Sequence, residues 1–280
     1  MKADSITVRV LSDGSYLMDG GSVFGQVPRV IWEQQAKPDR RNRVRLGLNC
    51  LLVQTPDLNI LVDAGMGTRE PEITREIYGL SSSKLHRNLR AANLTTRDID
   101  IVLLSHLHFD HVGGTVRLDR EGEIVPTFPN ARYLVQRPSW NEACNPNERA
   151  VPFFGLASTA MSVLERSGQL EFLDGDASIV PGVHTMITNG HCTGHQVVFV
   201  NTGGERIAFM GDLVPTPNHI VLPYITAFDR RPDDTLEEKR ELLSRIEREG
   251  WLMVFAHGYE QRAGYLERIG GKMQLKPVAV

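Results

Sequence analysis

His106, His108, Asp110 and His111 place four metal-competent side chains within six positions of sequence. Clustered neutral imidazoles have little structural use, whereas imidazole nitrogens beside a carboxylate suit zinc, and also iron, manganese or cobalt. In an extended stretch, side chains two apart point the same way, so His106 and His108 can grip one ion. The chain then turns, and Asp110 and His111 can face a second. The alternative, a polar loop after a core strand, leaves the density of ligand types unexplained.

Four more stretches carry residues of the same kind. Residues 188–195 set His191 and His195 among glycines at a strand end. Gly211-Asp212 closes a short buried strand at 207–210, and one carboxylate at such a tip can bridge two cations with its two oxygens. His257, followed by Gly258, closes the buried strand 251–256. Asp63, before Ala64-Gly65, ends a strand at 59–62. Alone it reads as a turn, but beside a metal site it can hold a ligand imidazole through that ring's other nitrogen. After Asp212, the prolines Pro215, Pro217 and Pro223 make residues 213–232 an irregular loop. Its His219, Tyr224 and Phe228 are a polar and aromatic mixture that suits a pocket wall.

These residues need a scaffold of strands. Ile6, Val8 and Val10 alternate with Thr7 and Arg9, the pattern of a half-buried strand over 6–11. Asp13-Gly14 predicts a turn into a second short strand at 16–18. Residues 20–42 lack periodicity and end in the basic run Arg40-Arg41-Asn42-Arg43, read as solvated surface. That segment could also be an arm over the site or over a neighbouring subunit, so a homodimer is allowed. Residues 44–53 and 59–62 read as a hairpin about Pro56-Asp57. Ser83 is placed to cap a helix over 83–92, with Leu85 and Leu89 inward and His86 exposed. The strand 99–104 feeds the metal motif. A strand follows at 132–136, then a short helix over 138–142 opened by Pro138, and a helix over 156–166 stopped by Gly168. Further strands fall around 172, 179–180, 183–187, where His184 is structural, and 196–201. Thr235-Leu236-Glu237-Glu238 reads as a capping box for a helix to about 249, with Leu242, Leu243 and Ile246 inward and Gly250 as its stop. A last helix is expected at 264–269. The order is twofold, strands then helix then ligand loop, which suggests two similar halves packed face to face with helices outside.

At 280 residues, 41% hydrophobic and 23% charged, the chain can bury a sizeable core. A net charge of -3 gives no electrostatic footprint for nucleic acid. Cys50, Cys144 and Cys192 are odd in number and irregular in spacing, which is no disulfide framework and fits a reducing compartment. No apolar run approaches the ~18 residues of a membrane span, and Met1-Lys2-Ala3-Asp4-Ser5-Ile6 has no signal-peptide core. The expectation is a cytoplasmic protein acting on a small molecule, without a nucleic-acid or membrane partner.

His106-Leu107-His108-Phe109-Asp110-His111, Gly190-His191 with Thr193-Gly194-His195, Gly211-Asp212 and Ala256-His257-Gly258 resemble the metallo-β-lactamase superfamily. Asp63-Ala64-Gly65 resembles its early acidic motif. The resemblance covers about residues 44–257. It implies an α/β fold, a four-layer αββα sandwich of two similar halves with the site at one edge of the facing sheets. The whole of 1–280 is then a single domain, with 1–43 as N-terminal strands and arm and 213–232 as a pocket loop. The resemblance further implies that His106, His108 and His191 bind one metal, that Asp110, His111 and His257 bind a second, and that Asp212 bridges them. Asp63 would accept a hydrogen bond from a ligand imidazole. Cys192 stands where the family often has threonine and reads as a size-matched substitution. The branch it looks most similar to holds N-acyl-homoserine lactonases, the quorum-quenching enzymes, with related lactone and organophosphate hydrolases. One departure stands out. Many lactonases of that branch carry a tyrosine three residues after the bridging aspartate, where this chain has Pro215. His219 and Tyr224 are the candidate replacements, with Phe228 beside them as a substrate contact.

The implied cofactors are two divalent ions, Zn2+ first, with Fe, Mn or Co as alternatives. The implied reaction is hydrolysis of a lactone or carboxylic ester by a hydroxide that bridges the metals, with Asp110 passing a proton to the leaving group as general acid. Phosphotriester, sulfuric-ester or β-lactam hydrolysis on the same site is the alternative. A di-iron redox protein of this fold usually has glutamate where His108 stands and carries a flavin domain, for which there is no room. A superfamily nuclease would want a larger inserted domain and a basic surface. A binding module would typically lose ligands, and all seven are present.

Overall fold

The computed structural model describes residues 6–155 and 157–280; Met1 to Ser5, where a leader was sought, and Leu156, the expected start of a helix, lie outside the described residues. Its strands are rich in Val, Ile and Leu on both faces, so each sheet must be covered on both sides. The first sheet has six strands, in spatial order β1 (Thr7–Asp19), β2 (Arg43–Gln54), β3 (Asn59–Val62), β4 (Ile101–Leu103), β7 (Arg132–Gln136) and β8 (Leu170–Leu173). The hairpin β5 (Val116–Leu118) and β6 (Ile124–Pro126) stands apart from it. The second sheet runs through β9 (Ala177–Val180), β10 (Val183–Thr188), β11 (His195–Asn201), β12 (Arg206–Phe209), β13 (Leu252–Val254), β14 (Ala263–Ile269) and β15 (Lys272–Val278), each beside the next.

Alternation along the strands then dictates four layers. Leu51, Val53, Ile60, Val62, Ile101 and Leu103 of the first sheet meet Val198, Val200, Ile207, Phe209, Leu252 and Val254 of the second. The opposite face of the first sheet, with Leu52, Leu61, Val102 and Val135, lies under Leu85 and Leu89 and under Met161 and Leu164 of the helix Ala157–Arg166. The opposite face of the second, with Val197, Phe199, Ala208 and Met253, lies under Leu242, Leu243 and Ile246 of the helix Pro232–Glu249. Helices therefore cover both outer faces of two packed sheets. Among the described residues, no helix is long and apolar enough to cross a membrane.

The two halves repeat one topology. β1, β2 and β3 are antiparallel, and a crossover through the helix Leu85–Ala91 makes β4 parallel to β3. β10, β11 and β12 are antiparallel, and a crossover through Pro232–Glu249 makes β13 parallel to β12. Parallel neighbours end at one edge. Asp63 and the stretch from Ser105 thus leave β3 and β4 together, and Asp212 and His257 leave β12 and β13 together.

Four local expectations are overturned. Asp13-Gly14 is a bulge within the single strand β1, not a turn between two. Asp13 is buried there and accepts from the amides of Met66, Gly67 and Leu85 and from Ser83 Oγ. Ser83 therefore serves Asp13 rather than capping a helix, and that helix begins at Leu85 behind Lys84. The long helix starts at Pro232, a turn before the expected capping box. Thr235 Oγ1 donates to Asp229, and the Glu238 carboxylate accepts from the amides of Asn189 and Gly190. The expected helix at 264–269 is β14, paired through Ala263 to Tyr265 with β13. Residues 20–42, for which an arm was one reading, contain two short helices, Gly20–Phe24 and Arg29–Trp32, which pack against the 213–232 loop. Ala227 N donates to Ser22 O, and Phe24 stacks on His219 and on Trp32.

Lys239 lies on the apolar face of Pro232–Glu249 and is fully buried. Its Nζ donates to the carbonyls of Val221 (3.2 Å), Leu222 (3.2 Å) and Tyr224 (2.7 Å), which ties the loop to the helix. Burial lowers its pKa from 10.5 to about 7. The unfolded chain then binds more protons than the folded one between those values, so stability rises with pH across that window. Urea unfolding at pH 7, 8.5 and 10 should show wild type gaining stability relative to Lys239→Met as pH rises. A gap independent of pH would show that the folded ammonium keeps its ordinary pKa.

Candidate metal centre

The ligand-type residues converge from both halves. His106, His108, His191 and Asp212 present ligand atoms that all lie within 4.8 Å of one another, and so do Asp110, His111 and His257. Asp212 stands between the groups. Its Oδ1 is 3.0 Å from His257 Nε2 and 3.4 Å from His111 Nε2, while its Oδ2 is 3.4 Å from His191 Nε2 and 3.9 Å from His106 Nε2. Lone pairs crowd together: His111 Nε2 is 3.1 Å from His257 Nε2, and His191 Nε2 is 3.0 Å from His108 Nδ1. All seven residues are buried.

Most of these imidazoles are anchored by the nitrogen that faces away from the centre. His111 Nδ1 donates to Asp63 Oδ2 at 2.7 Å, His191 Nδ1 to Asp229 Oδ1 at 3.0 Å, and His257 Nδ1 to Gly47 O at 2.9 Å. His106 Nδ1 meets Ser105 Oγ at 3.1 Å, and that hydroxyl donates to Asp63 Oδ2. These contacts fix tautomer and ring plane, leaving the Nε2 atoms of His106, His111, His191 and His257 to face inward. Asp63 does this from a left-handed conformation, φ 60°, at the tip of β3. Gly47 can have no side chain, because a Cβ there would sit 2.6 Å from Gly258 O.

The electrostatics demand positive charge. Burial and then the neighbouring imidazoles hold His106 and His108 well below the ordinary histidine pKa. Burial works against a charged His111 too, yet Asp212, Asp63 and Asp110 outweigh it and raise that pKa well above the ordinary value. Burial would raise the Asp212 pKa, but His257, His111 and His191 hold it well below the carboxylate range. Buried His106 Nε2 and Asp212 Oδ1 make no hydrogen bond. A set of imidazoles and carboxylates with inward lone pairs and orphaned buried atoms fits divalent cations by the chemistry of its donors. The two groups could hold two metal ions.

His195 belongs to neither group. Its Nε2 accepts from Asp212 N at 2.9 Å and its Nδ1 donates to Thr188 Oγ1 at 2.6 Å, so it positions the Asp212 backbone. Burial then pushes its pKa down to about 3, which suits a neutral ring. Gly211 makes this contact possible, since a Cβ there would lie 2.4 Å from His195 Nε2. Cys192 is buried and outside both groups, and burial pushes its thiol well above the ordinary pKa.

A cleft opens over the centre. It is lined by Met18, Val23, Leu46, Phe109, Phe153 and Phe228 above His108, Asp110, Asp212 and His257, with Pro215 at its wall. Phe228 lines the cleft. His219 and Tyr224 are not at the cleft: His219 donates from Nε2 to Val23 O, and Tyr224 Oη accepts from Gln35 Nε2, so both join the loop to the arm. Two polar residues at the site went unread in the sequence. Asp229, just past Phe228, orients His191 and looks like any loop acid until folding brings it there. Tyr16 on β1 donates to Asp110 Oδ2 at 2.6 Å. Burial, then Asp110, raises its phenol pKa well above the ordinary value.

Residues 44–257 match the metallo-beta-lactamase superfamily. An N-acyl homoserine lactonase of Bacillus thuringiensis is 26% identical over 228 residues, which cover 76% of this chain and 81% of its own. Another, from Bacillus sp, is 30% identical over 231 residues, covering 77% of this chain and 82% of its own. A probable metal-dependent hydrolase from Staphylococcus aureus superposes with a TM-score of 0.88 at 29% identity, over 100% of both chains. AidC, a dizinc quorum-quenching lactonase solved with its product, shares the fold with a TM-score of 0.82 at 19% identity, over 100% of this chain and 97% of its own. With a match across the stretch that supplies the whole histidine and aspartate centre, the chain belongs to the metallo-β-lactamase superfamily and is one of its hydrolases.

Proposed function

We propose that this protein hydrolyses a lactone or carboxylic ester at a centre of two divalent metal ions, Zn2+ because imidazole nitrogens predominate among its donors, with Fe, Mn and Co as competitors. The observation that carries this is Asp212, one of whose oxygens faces each histidine group. His106, His108 and His191 would hold one ion, Asp110, His111 and His257 the other, with Asp212 shared. Bound there, the ions would supply a nucleophile at neutral pH and offset the charge that develops on the substrate. The chain does the rest. Asp63, Asp229 and the Gly47 carbonyl keep three imidazoles in register. Met18, Val23, Leu46, Phe109, Phe153 and Phe228 exclude water and take an acyl or aryl group. Asp110 Oδ1, the oxygen not bonded to Tyr16, would take up the proton that the nucleophile gives up and return it to the departing alkoxide.

The cleft also argues on substrate charge. Arg230 pairs with Glu142, and Arg231 bonds Asn189 O and pairs with Asp234. Neither arginine lines the cleft, so an anionic phosphodiester would be buried there without a cationic side chain. An uncharged phosphotriester meets no such penalty and is the second reading. The likeness to N-acyl homoserine lactonases of Bacillus, at 26% and 30% identity, supports lactones as the first reading.

Three measurements follow. Elemental analysis after reconstitution with Zn2+ should find two metals per chain, and Asp212→Asn should retain fewer and turn over at least tenfold more slowly. One metal at saturation would defeat the two-ion reading. Asp229→Asn should weaken metal affinity by about 10–100-fold in a chelator titration, because His191 loses its orienting carboxylate. Unchanged affinity would assign Asp229 to the loop alone. Initial rates on acyl-homoserine lactones, γ- and δ-lactones, aryl esters, phosphotriesters and a β-lactam should favour lactones or esters. A tenfold preference in kcat/KM for the phosphotriester or the β-lactam would overturn that assignment.

A further inference from the structure

Cleavage of a carbonyl substrate leaves one need that the apolar cleft does not obviously meet, a protein hydrogen bond to the oxygen that gains charge. Apart from the centre itself, three hydroxyls among the described residues line the cleft, those of Tyr16, Thr216 and Thr226. Two are already committed. Thr226 Oγ1 donates to Asp229 Oδ1 at 2.6 Å. His219 must donate from Nε2 to Val23 O, since a carbonyl only accepts, so its neutral ring takes the Thr216 proton on Nδ1 at 2.7 Å. Pro215, on the same wall, has no N–H to offer. That leaves Tyr16, whose proton rests on Asp110 Oδ2 at 2.6 Å, a carboxylate of the centre.

The phenol is held rather than loose. Tyr16 pairs with Leu46 across β1 and β2, and both residues line the cleft. Its ring stands edge-on to His257, with centroids 5.8 Å apart, and to Tyr78 at 6.4 Å. Position and tilt are therefore set by packing, and only the O–H rotor is free to change partner.

We propose that Tyr16 is a catalytic residue, its hydroxyl turning from Asp110 Oδ2 to the carbonyl oxygen of a bound lactone or ester as negative charge builds there. A developing oxyanion outcompetes a neutral carbonyl as acceptor, so the bond strengthens as the reaction proceeds, which is the condition for lowering a barrier. This rests on the ester-and-lactone reading above.

The test is Tyr16→Phe, which removes only the hydroxyl. Turnover of an aryl ester should fall roughly 10²-fold in kcat with little change in KM, and metal content should equal that of wild type. Sulfur accepts hydrogen bonds poorly, so the wild-type preference for an oxo ester over its thiono counterpart should shrink in the variant. Hexylphosphonate, whose oxygens mimic the charged tetrahedral state, should bind the zinc-loaded variant about tenfold more weakly by calorimetry. Loss of metal from Tyr16→Phe, an unchanged oxo-to-thiono ratio, or equal phosphonate affinity would each overturn the proposal and leave the hydroxyl as a support for Asp110. If wild type cleaves neither ester nor lactone, the substrate reading falls, while the phosphonate comparison still decides whether Tyr16 donates.

Discussion

Asp212 is a buried carboxylate whose two oxygens face two groups of histidines, and no arrangement of neutral rings and ionised acids balances there without added positive charge. Protons or cations must supply it. Most other features of the centre follow from keeping lone pairs aimed inward against that imbalance. Four imidazoles are fixed through their outer nitrogens, Asp63 adopts a left-handed backbone to reach two of its donors, and His195 holds the Asp212 amide from beneath. A left-handed aspartate costs of order 1–3 kcal/mol, a strain the rest of the fold must offset.

The sheets provide the rigidity that this requires. β3 with β4 and β12 with β13 are parallel pairs buried on both faces, and their tips deliver Asp63, the 105–111 stretch, Asp212 and His257 to one edge. Strand tips in a packed sandwich move little, because close-packed interiors resist displacement. The arm and the 213–232 loop add Val23, Pro215 and Phe228 to the apolar wall, and almost none of the groups that face or orient the centre. Asp229 is the exception, and its carboxylate is fixed by Thr226, Thr235 and His191 together.

Legibility in the sequence followed chemistry more closely than conformation. The seven metal-competent residues were readable because few residue types bind cations and these were set at strand ends. The two facing halves were readable from the repeated order of strands, helix and ligand loop, and the four-layer sandwich only through the family resemblance. Asp13-Gly14 misled because a bulge and a hairpin turn use the same residues, and only the pairing of β1 with β2 on both sides separates them. The segment 264–269 has Tyr265, Leu266 and Ile269 at helix-compatible spacing, but the open edge of β13 offered ladder bonds that outweigh local preference. Thr235 and Glu238 have the spacing of a cap, yet each found a stronger partner outside its helix. Tyr16 gave no signal at all. Its importance lies in a contact with Asp110 94 residues away, and a tyrosine in an alternating strand looks like core.

The clasp between the arm and the 213–232 loop gives this enzyme a divided inheritance. Its floor is written in strand tips, where a change of one residue disturbs a bonded chain of histidines and acids. Part of its ceiling is written in connections, where Val23 of the arm and Phe228 of the loop touch the cleft and belong to neither ligand group. Mutation can therefore explore ceilings while the floor stays silent, and a lineage built this way can trade one leaving group for another without relearning how to break the bond.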